Sequence, residues 1–131
     1  GLVGSEMCIR DSIEGEATLV GRARHNARLN NINNIEFMVA NLFEEHKDSP
    51  FAKRTFNKVL LDPPRAGARE ILPVIAKCGA QRVVYISCHP GTLARDAGIL
   101  VHELGYTLKS AGVLDMFPHT AHVESVAVFE R

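Results

Sequence analysis

Apolar positions in this chain recur with two periods, and the two alternate. Ala17, Val20, Ala23 and Ala27 repeat at helical spacing, with Arg22, Arg24 and Arg28 opposite them, which predicts a helix from about Glu16 to Asn30. Asn30-Asn31 and Asn33-Asn34 supply turn chemistry, and Ile35, Phe37 and Val39 then alternate as a strand ending at Ala40-Asn41. Residues 44–54 are polar and read as a loop or a short helix. Lys58-Val59-Leu60-Leu61 is a buried strand that must stop at Asp62-Pro63-Pro64. A helix follows from about Ala68 to Cys78, with Pro73 tolerated in its first turn and Gly79 beyond its end. Val83-Val84-Tyr85-Ile86 has apolar residues on both sides, as a central strand does, and it delivers Ser87-Cys88-His89-Pro90 to the start of another helix. Leu93, Ala97, Leu100, Val101 and Leu104 mark that helix, which Gly105 stops. Strands over about Tyr106–Leu114 and His122–Glu130 complete the pattern, with a loop between them.

Strands alternating with helices give an α/β chain whose sheet is mainly parallel. The last two strands have no helix between them, so the final one should run antiparallel. Ile13-Glu14-Gly15 reads as the tail of an earlier strand. Residues 1–12 show no period and are expected to be a non-native leader, with residues 13–131 forming one domain.

Composition narrows this picture. With 131 residues there is room for at most one domain, and Lys+Arg balances Asp+Glu at 15 each, which argues against a strong overall basic field. Local basic groups remain at Arg22, Arg24 and Arg28, and at Arg65, Arg69 and Arg95. Three cysteines, Cys8, Cys78 and Cys88, make no disulfide framework and suit a reducing cytoplasm. No run is apolar enough to span a membrane, and no signal peptide is legible.

Candidate chemistry gathers where strands end. Cys88 follows a buried strand and precedes a helix, with Arg95 a turn inside it; a helix N-terminus and a nearby cation both favour thiolate. Glu124 is a lone carboxylate in the otherwise apolar run from Val123 to Phe129, and burial there would make it a better base. Cys88, His89, His119 and His122 offer zinc-ligand types, but without a paired-cysteine motif the expectation is that no metal is held.

Four stretches together carry a resemblance: Ile13-Glu14-Gly15, Leu61-Asp62-Pro63-Pro64-Arg65-Ala66-Gly67, the run from Ser87 to Asp96, and the run from Asp115 to Glu124. They resemble the RNA uracil-5-methyltransferases, and within them the branch that acts on 23S ribosomal RNA. The resemblance implies the Rossmann-like fold of S-adenosyl-L-methionine-dependent methyltransferases. It implies that Cys88 is the nucleophile, adding to uracil C6, and that Glu124 takes the C5 proton. Glu14, Asn41 and Asp62 match the positions that hold the cofactor. Arg65, Arg69 and Arg95 would face phosphates, and His89, Phe117 and His119 the target base, turned out of its stack. Such enzymes carry a glycine-rich loop after a first strand; nothing before Ile13 matches it, so the chain is expected to be an N-terminally truncated catalytic domain with impaired activity. The iron–sulfur cluster of this branch is expected in a full-length parent and not in this stretch. A monomer acting in the cytoplasm, with 23S ribosomal RNA as partner and no membrane, completes the expectation. Competing readings are a non-catalytic RNA-binding remnant, a tRNA uracil-5-methyltransferase, and an amino-group methyltransferase built on Asp62-Pro63-Pro64.

Overall fold

The computed structural model describes residues 10–41, 43–44 and 50–131. Two compact units divide the chain, residues 1–42 and 43–131.

In the first unit, β1 (Arg10–Glu14) and β2 (Ile35–Val39) pair in parallel, from Arg10↔Ile35 to Glu14↔Val39. Helix α1 (Ala17–Leu29) connects them and buries Val20 and Ala27, two of its four expected apolar positions. Its arginines are exposed, as their spacing predicts, and Arg24 donates from Nη2 to the Phe37 carbonyl at 2.7 Å, tying the helix to β2. Strand β1 starts at Arg10, three residues before the regular pattern at Ile13, so residues 10–12 pair within a sheet. The remainder of the expected leader, Cys8 included, lies outside the described residues.

The second unit carries β3 (Lys58–Leu61), α2 (Leu72–Lys77), β4 (Arg82–Ser87), α3 (Pro90–His102), β5 (Thr107–Leu114) and β6 (Glu124–Glu130). Its four strands lie in the order β3-β4-β6-β5. The pairs β3·β4 are parallel, and β6 runs antiparallel to both β4 and β5. The antiparallel last strand is therefore as expected, and it is inserted between two strands rather than added at an edge. Among the described residues, no strand joins the β1–β2 ladder to the β3–β4 ladder. A 3-10 turn at Pro50–Lys53 stands in the polar stretch between the units' strands, and residues 45–49 are outside the described set.

One face of the four-stranded sheet is covered. Val83, Tyr85 and Phe129 have no exposed surface and share it with Leu61 and Ala127. Helix α3 packs there against β4, β5 and β6 and buries Leu93, Asp96 and Leu100, while α2 packs against α3 and the 3-10 turn and buries Leu72 and Ile75. Each fully buried large aliphatic or aromatic side chain contributes roughly 1.5–3 kcal/mol to such a core. The opposite face is open: Leu60 is 66% exposed, while Val84, Ile86, Val126 and Val128 are half-buried.

Helix α2 is shorter than the 68–78 expected. Residues 69–71 form turns instead, the Ala68 N–H donates to the Asp96 carboxylate, and Pro73 occupies the first turn of the helix that forms.

Burial sets an alkaline limit on stability. It raises the Cys78 thiol above its ordinary 9.0 and raises Tyr106 and Tyr85 above their ordinary 10.0; Tyr85 is raised further by its bond to Asp96. Each folded-state value lies above the unfolded one, so the stabilisation is complete below the ordinary values and is lost as pH rises through the folded ones. Urea unfolding should show a flat midpoint up to about pH 8 and a falling one above about pH 9–10, and an unchanged midpoint there would contradict this burial.

Candidate active site

Register brings two of the expected residues together. The last pair of the β4–β6 ladder is Ser87↔Ser125. Cys88 follows Ser87 in the bend that leaves β4, and Glu124 precedes Ser125 at the start of β6, so both stand at this one end of the ladder. Side chains alternate across a strand, so Glu124 falls on the open face with Val126 and Val128. Asp62 follows the last β3–β4 pair, Leu61↔Tyr85, which sets it in the row of Ile86 on that same face. Cys88 and Glu124 are half-buried, and Asp62 is exposed. Glu124 is thus accessible from the open face rather than enclosed.

The turn that carries Cys88 is fastened on both sides of it. The Ser87 hydroxyl accepts from the His89 N–H and lies 3.0 Å from the His89 carbonyl, with 3% of Ser87 exposed. His89 is the N-cap of α3: its Nδ1 accepts the Thr92 N–H at 3.2 Å. This imidazole, expected to face the base, therefore has a local capping duty. The Thr92 hydroxyl lies 3.0 Å from both the His89 and the Arg65 carbonyls.

Arg95 corrects another expectation. It does not stand as a free cation for phosphate or for the Cys88 thiolate; it pairs with Asp96 at 2.7 Å and donates to the Ala66 carbonyl at 2.9 Å. Arg65 and Arg69 are exposed, as a phosphate contact requires. Phe117 is half exposed, and its carbonyl accepts from the Thr120 N–H and hydroxyl, closing a tight turn. His119 takes φ 65° inside that turn, a conformation that costs about 1–3 kcal/mol in most residues.

In the first unit, Glu14 and Asn41 stand at the carboxyl ends of β1 and β2, both exposed. Glu14 Oε1 accepts the Glu16 N–H at 3.2 Å, and its carbonyl accepts the Ala40 N–H at 3.1 Å. A carboxylate and a carboxamide at one end of a parallel pair suit a ribose diol and a purine edge. Among the described residues, no group of three or more His, Cys, Asp or Glu is placed to hold a metal ion. Nor does any described helix have the length and apolarity to cross a membrane.

Residues 13–131 match the family model for tRNA (uracil-5-)-methyltransferase. The chain belongs to this family. The 23S rRNA (uracil(1939)-C(5))-methyltransferase RlmD of Xanthomonas axonopodis pv. citri is 56% identical over 119 residues, which are 91% of this chain and 27% of that protein. RlmD of Stenotrophomonas maltophilia is likewise 56% identical over the same shares. The chain thus spans about a quarter of the length of these curated relatives. Among solved structures, the tRNA (uracil-54, C5)-methyltransferase of Pyrococcus abyssi, in complex with S-adenosyl-L-homocysteine, is 35% identical with a TM-score of 0.75, over 92% of this chain and 28% of that one. NSun6 from Pyrococcus horikoshii, at 15% identity and TM-score 0.68 over 92% of this chain and 40% of its own, shares the fold. The fold is that of the class I methyltransferases.

Within this uracil-5-methyltransferase chain, sequence reading missed the residues that hold the turn: Ser87, Tyr85, Thr92 and Asp96. A signal for Asp96 existed. It falls between Leu93 and Leu100 at helical spacing, an acid on the apolar stripe of α3. A charged group placed there is expected to be partnered, since burying it alone is prohibitive.

Proposed function

We propose that this chain carries the reacting residues of an S-adenosyl-L-methionine-dependent RNA (uracil-5-)-methyltransferase whose target lies in 23S ribosomal RNA. The observation that carries the reading is that Cys88 and Glu124, a nucleophile and a base, flank the Ser87↔Ser125 pair that ends the β4–β6 ladder. The relatives near 56% identity are named for 23S rRNA, against 35% for the tRNA enzyme, which favours the ribosomal substrate.

Uracil C5 is a weak nucleophile. Cys88 Sγ, as thiolate, adds to C6 and forms an S–C6 bond, and the displaced electron pair makes C5 electron-rich. When bound, S-adenosyl-L-methionine supplies an electrophilic methyl group for C5. Glu124 then takes the C5 proton, the freed pair restores the C5=C6 double bond, and the S–C6 bond breaks to return the thiolate. Glu14 and Asn41 have the chemistry to hold the cofactor's ribose and adenine, and Asp62 is assigned to the cofactor and the target. The Ser87 hydroxyl and the His89 cap keep the thiolate's turn in place through both bond changes.

Covalent trapping tests this reading. Ribosomal RNA containing 5-fluorouridine has no C5 proton to remove, so the adduct should persist. Incubated with cofactor, the longest gene product containing this sequence should give a denaturant-resistant protein–RNA complex that Cys88→Ala does not form. No complex with the unaltered protein would refute the mechanism, and a complex that survives Cys88→Ala would remove Cys88 from it.

A further inference from the structure

Three side chains on one face of α3 hold the loop that follows β3. Thr92 Oγ1 lies 3.0 Å from the Arg65 carbonyl, Arg95 Nη2 donates to the Ala66 carbonyl at 2.9 Å, and Asp96 Oδ2 accepts the Ala68 N–H at 2.8 Å. Residues 92, 95 and 96 are one helical turn apart, which is why they reach the same segment. Gly67 lies between the tethered groups at φ 87°, and a Cβ there would meet Arg95 Nη2 at 2.5 Å and Asp96 Oδ2 at 2.6 Å. The loop backbone therefore rests directly on the ion pair.

Asp96 itself has no exposed surface. Oδ1 accepts from Arg95 Nε at 2.8 Å, and Oδ2 also accepts from Tyr85 Oη at 2.5 Å. Donors thus converge on its two oxygens from three directions: the loop after β3, strand β4, and α3 itself. Only a carboxylate accepts from all of them at once; an amide in its place would turn an NH2 toward one set of N–H or O–H donors. Tyr85 is three residues before Cys88, and Asp96 eight after it, so the carboxylate joins the two sides of the cysteine turn to the loop that begins with Asp62.

We propose that Asp96 is a positioning residue, whose buried carboxylate locks the loop from Asp62 to Ala68 to the elements on either side of Cys88. This rests on the methyltransferase reading above for its consequence, though not for its geometry. The clamp fixes the loop that begins with Asp62 relative to the turn that carries Cys88, and a misplacement of about 1 Å can cost about 100-fold in rate.

The test uses Asp96→Asn in the longest gene product containing this sequence. The maximal rate of adduct formation with 5-fluorouridine RNA should fall about 100-fold, while the RNA concentration for half-saturation stays within about twofold. A purely structural residue would instead lower the folded fraction and leave the rate per folded molecule unchanged. Hydrogen exchange at the Ala68 amide should be slow in the unaltered protein and fast in Asp96→Asn. An unchanged rate per folded molecule, or equal exchange at Ala68, overturns the proposal. Should Asp96→Asn fail to fold, Thr92→Val removes the hydroxyl's bonds to the Arg65 and His89 carbonyls and leaves those of Asp96, and Thr92→Ser, which keeps the hydroxyl, is its control; a fall of about tenfold in Thr92→Val but not in Thr92→Ser, at unchanged RNA affinity, supports the clamp, and no fall overturns it. Should the unaltered protein form no adduct, the methyltransferase reading fails by itself and exchange at Ala68 decides the clamp.

Discussion

Glu124→Gln is expected to accumulate the covalent protein–RNA complex on ordinary, unfluorinated RNA. Glutamine keeps the size of the side chain and its half-buried position at the start of β6, so the sheet should be undisturbed. It cannot take a proton from carbon. In the proposed mechanism, addition of Cys88 and methylation of C5 precede that step and need no base at C5. The adduct therefore forms and stalls with both the proton and the S–C6 bond in place. Loss of a positioned base costs about 10²–10⁴-fold, so turnover should drop by that amount while RNA binding persists. Gel separation under denaturing conditions reads the stalled complex, and methyl release from labelled cofactor reads turnover. Wild-type turnover in Glu124→Gln would give the proton to another group. Loss of the adduct altogether would show that Glu124 acts before methylation.

Gly67→Ala should be the most damaging single-methyl change in the second unit. Two costs coincide there. A positive φ of 87° is strained for any residue with a Cβ, and the new methyl would overlap Arg95 Nη2 and Asp96 Oδ2, members of an ion pair whose carboxylate is buried. Strain and overpacking together come to about 2–5 kcal/mol. The polar atoms cannot simply retreat, because each already serves a hydrogen bond to the loop. Urea unfolding of Gly67→Ala beside Gly98→Ala makes the comparison. Gly98 lies within α3 with nothing within 4 Å of an added Cβ, so alanine there should be neutral or stabilising. Equal midpoints for the two variants would show that the loop is not seated as described.

The order of elements was legible because it depends on local period alone. The buried run from Val83 to Ile86 and the alternation in β2 are recorded in consecutive residues, and both strands form where that pattern predicts. What needed the structure were relations between distant residues. That β6 runs antiparallel to β5 follows from the short connection; that its other edge takes β4 does not, and this second pairing is what brings Cys88 and Glu124 to the same end of one ladder. The partner of Arg95 is hidden for a similar reason. Sequence proximity to Cys88 suggests an electrostatic partner, but the adjacent Asp96 claims the guanidinium. His89 likewise has the chemistry of a ligand or a base contact, and only the coordinates show its Nδ1 occupied by the Thr92 amide. Glu14, Asn41 and Asp62 were chosen through resemblance, and each does stand at the carboxyl end of a parallel strand.

Inserting β6 between β4 and β5 has a kinetic consequence. Neither β4 nor β5 pairs with the other, so this half of the sheet does not exist until a strand later in the chain arrives. The contacts that close it are distant in sequence: Arg82 and Glu130, joined by an ion pair at one end of the ladder, are 48 residues apart. Such pairings carry a large loop-closure entropy before any contact rewards them, and they slow folding. During synthesis, β4 and α3 leave the ribosome with the Cys88 turn complete in sequence but with no neighbour on one side. The ladder beside Cys88 therefore closes at the end of folding rather than at its beginning. Until then the nascent chain shows this cysteine beside an unpaired strand edge, the interval in which off-pathway pairing would do most harm.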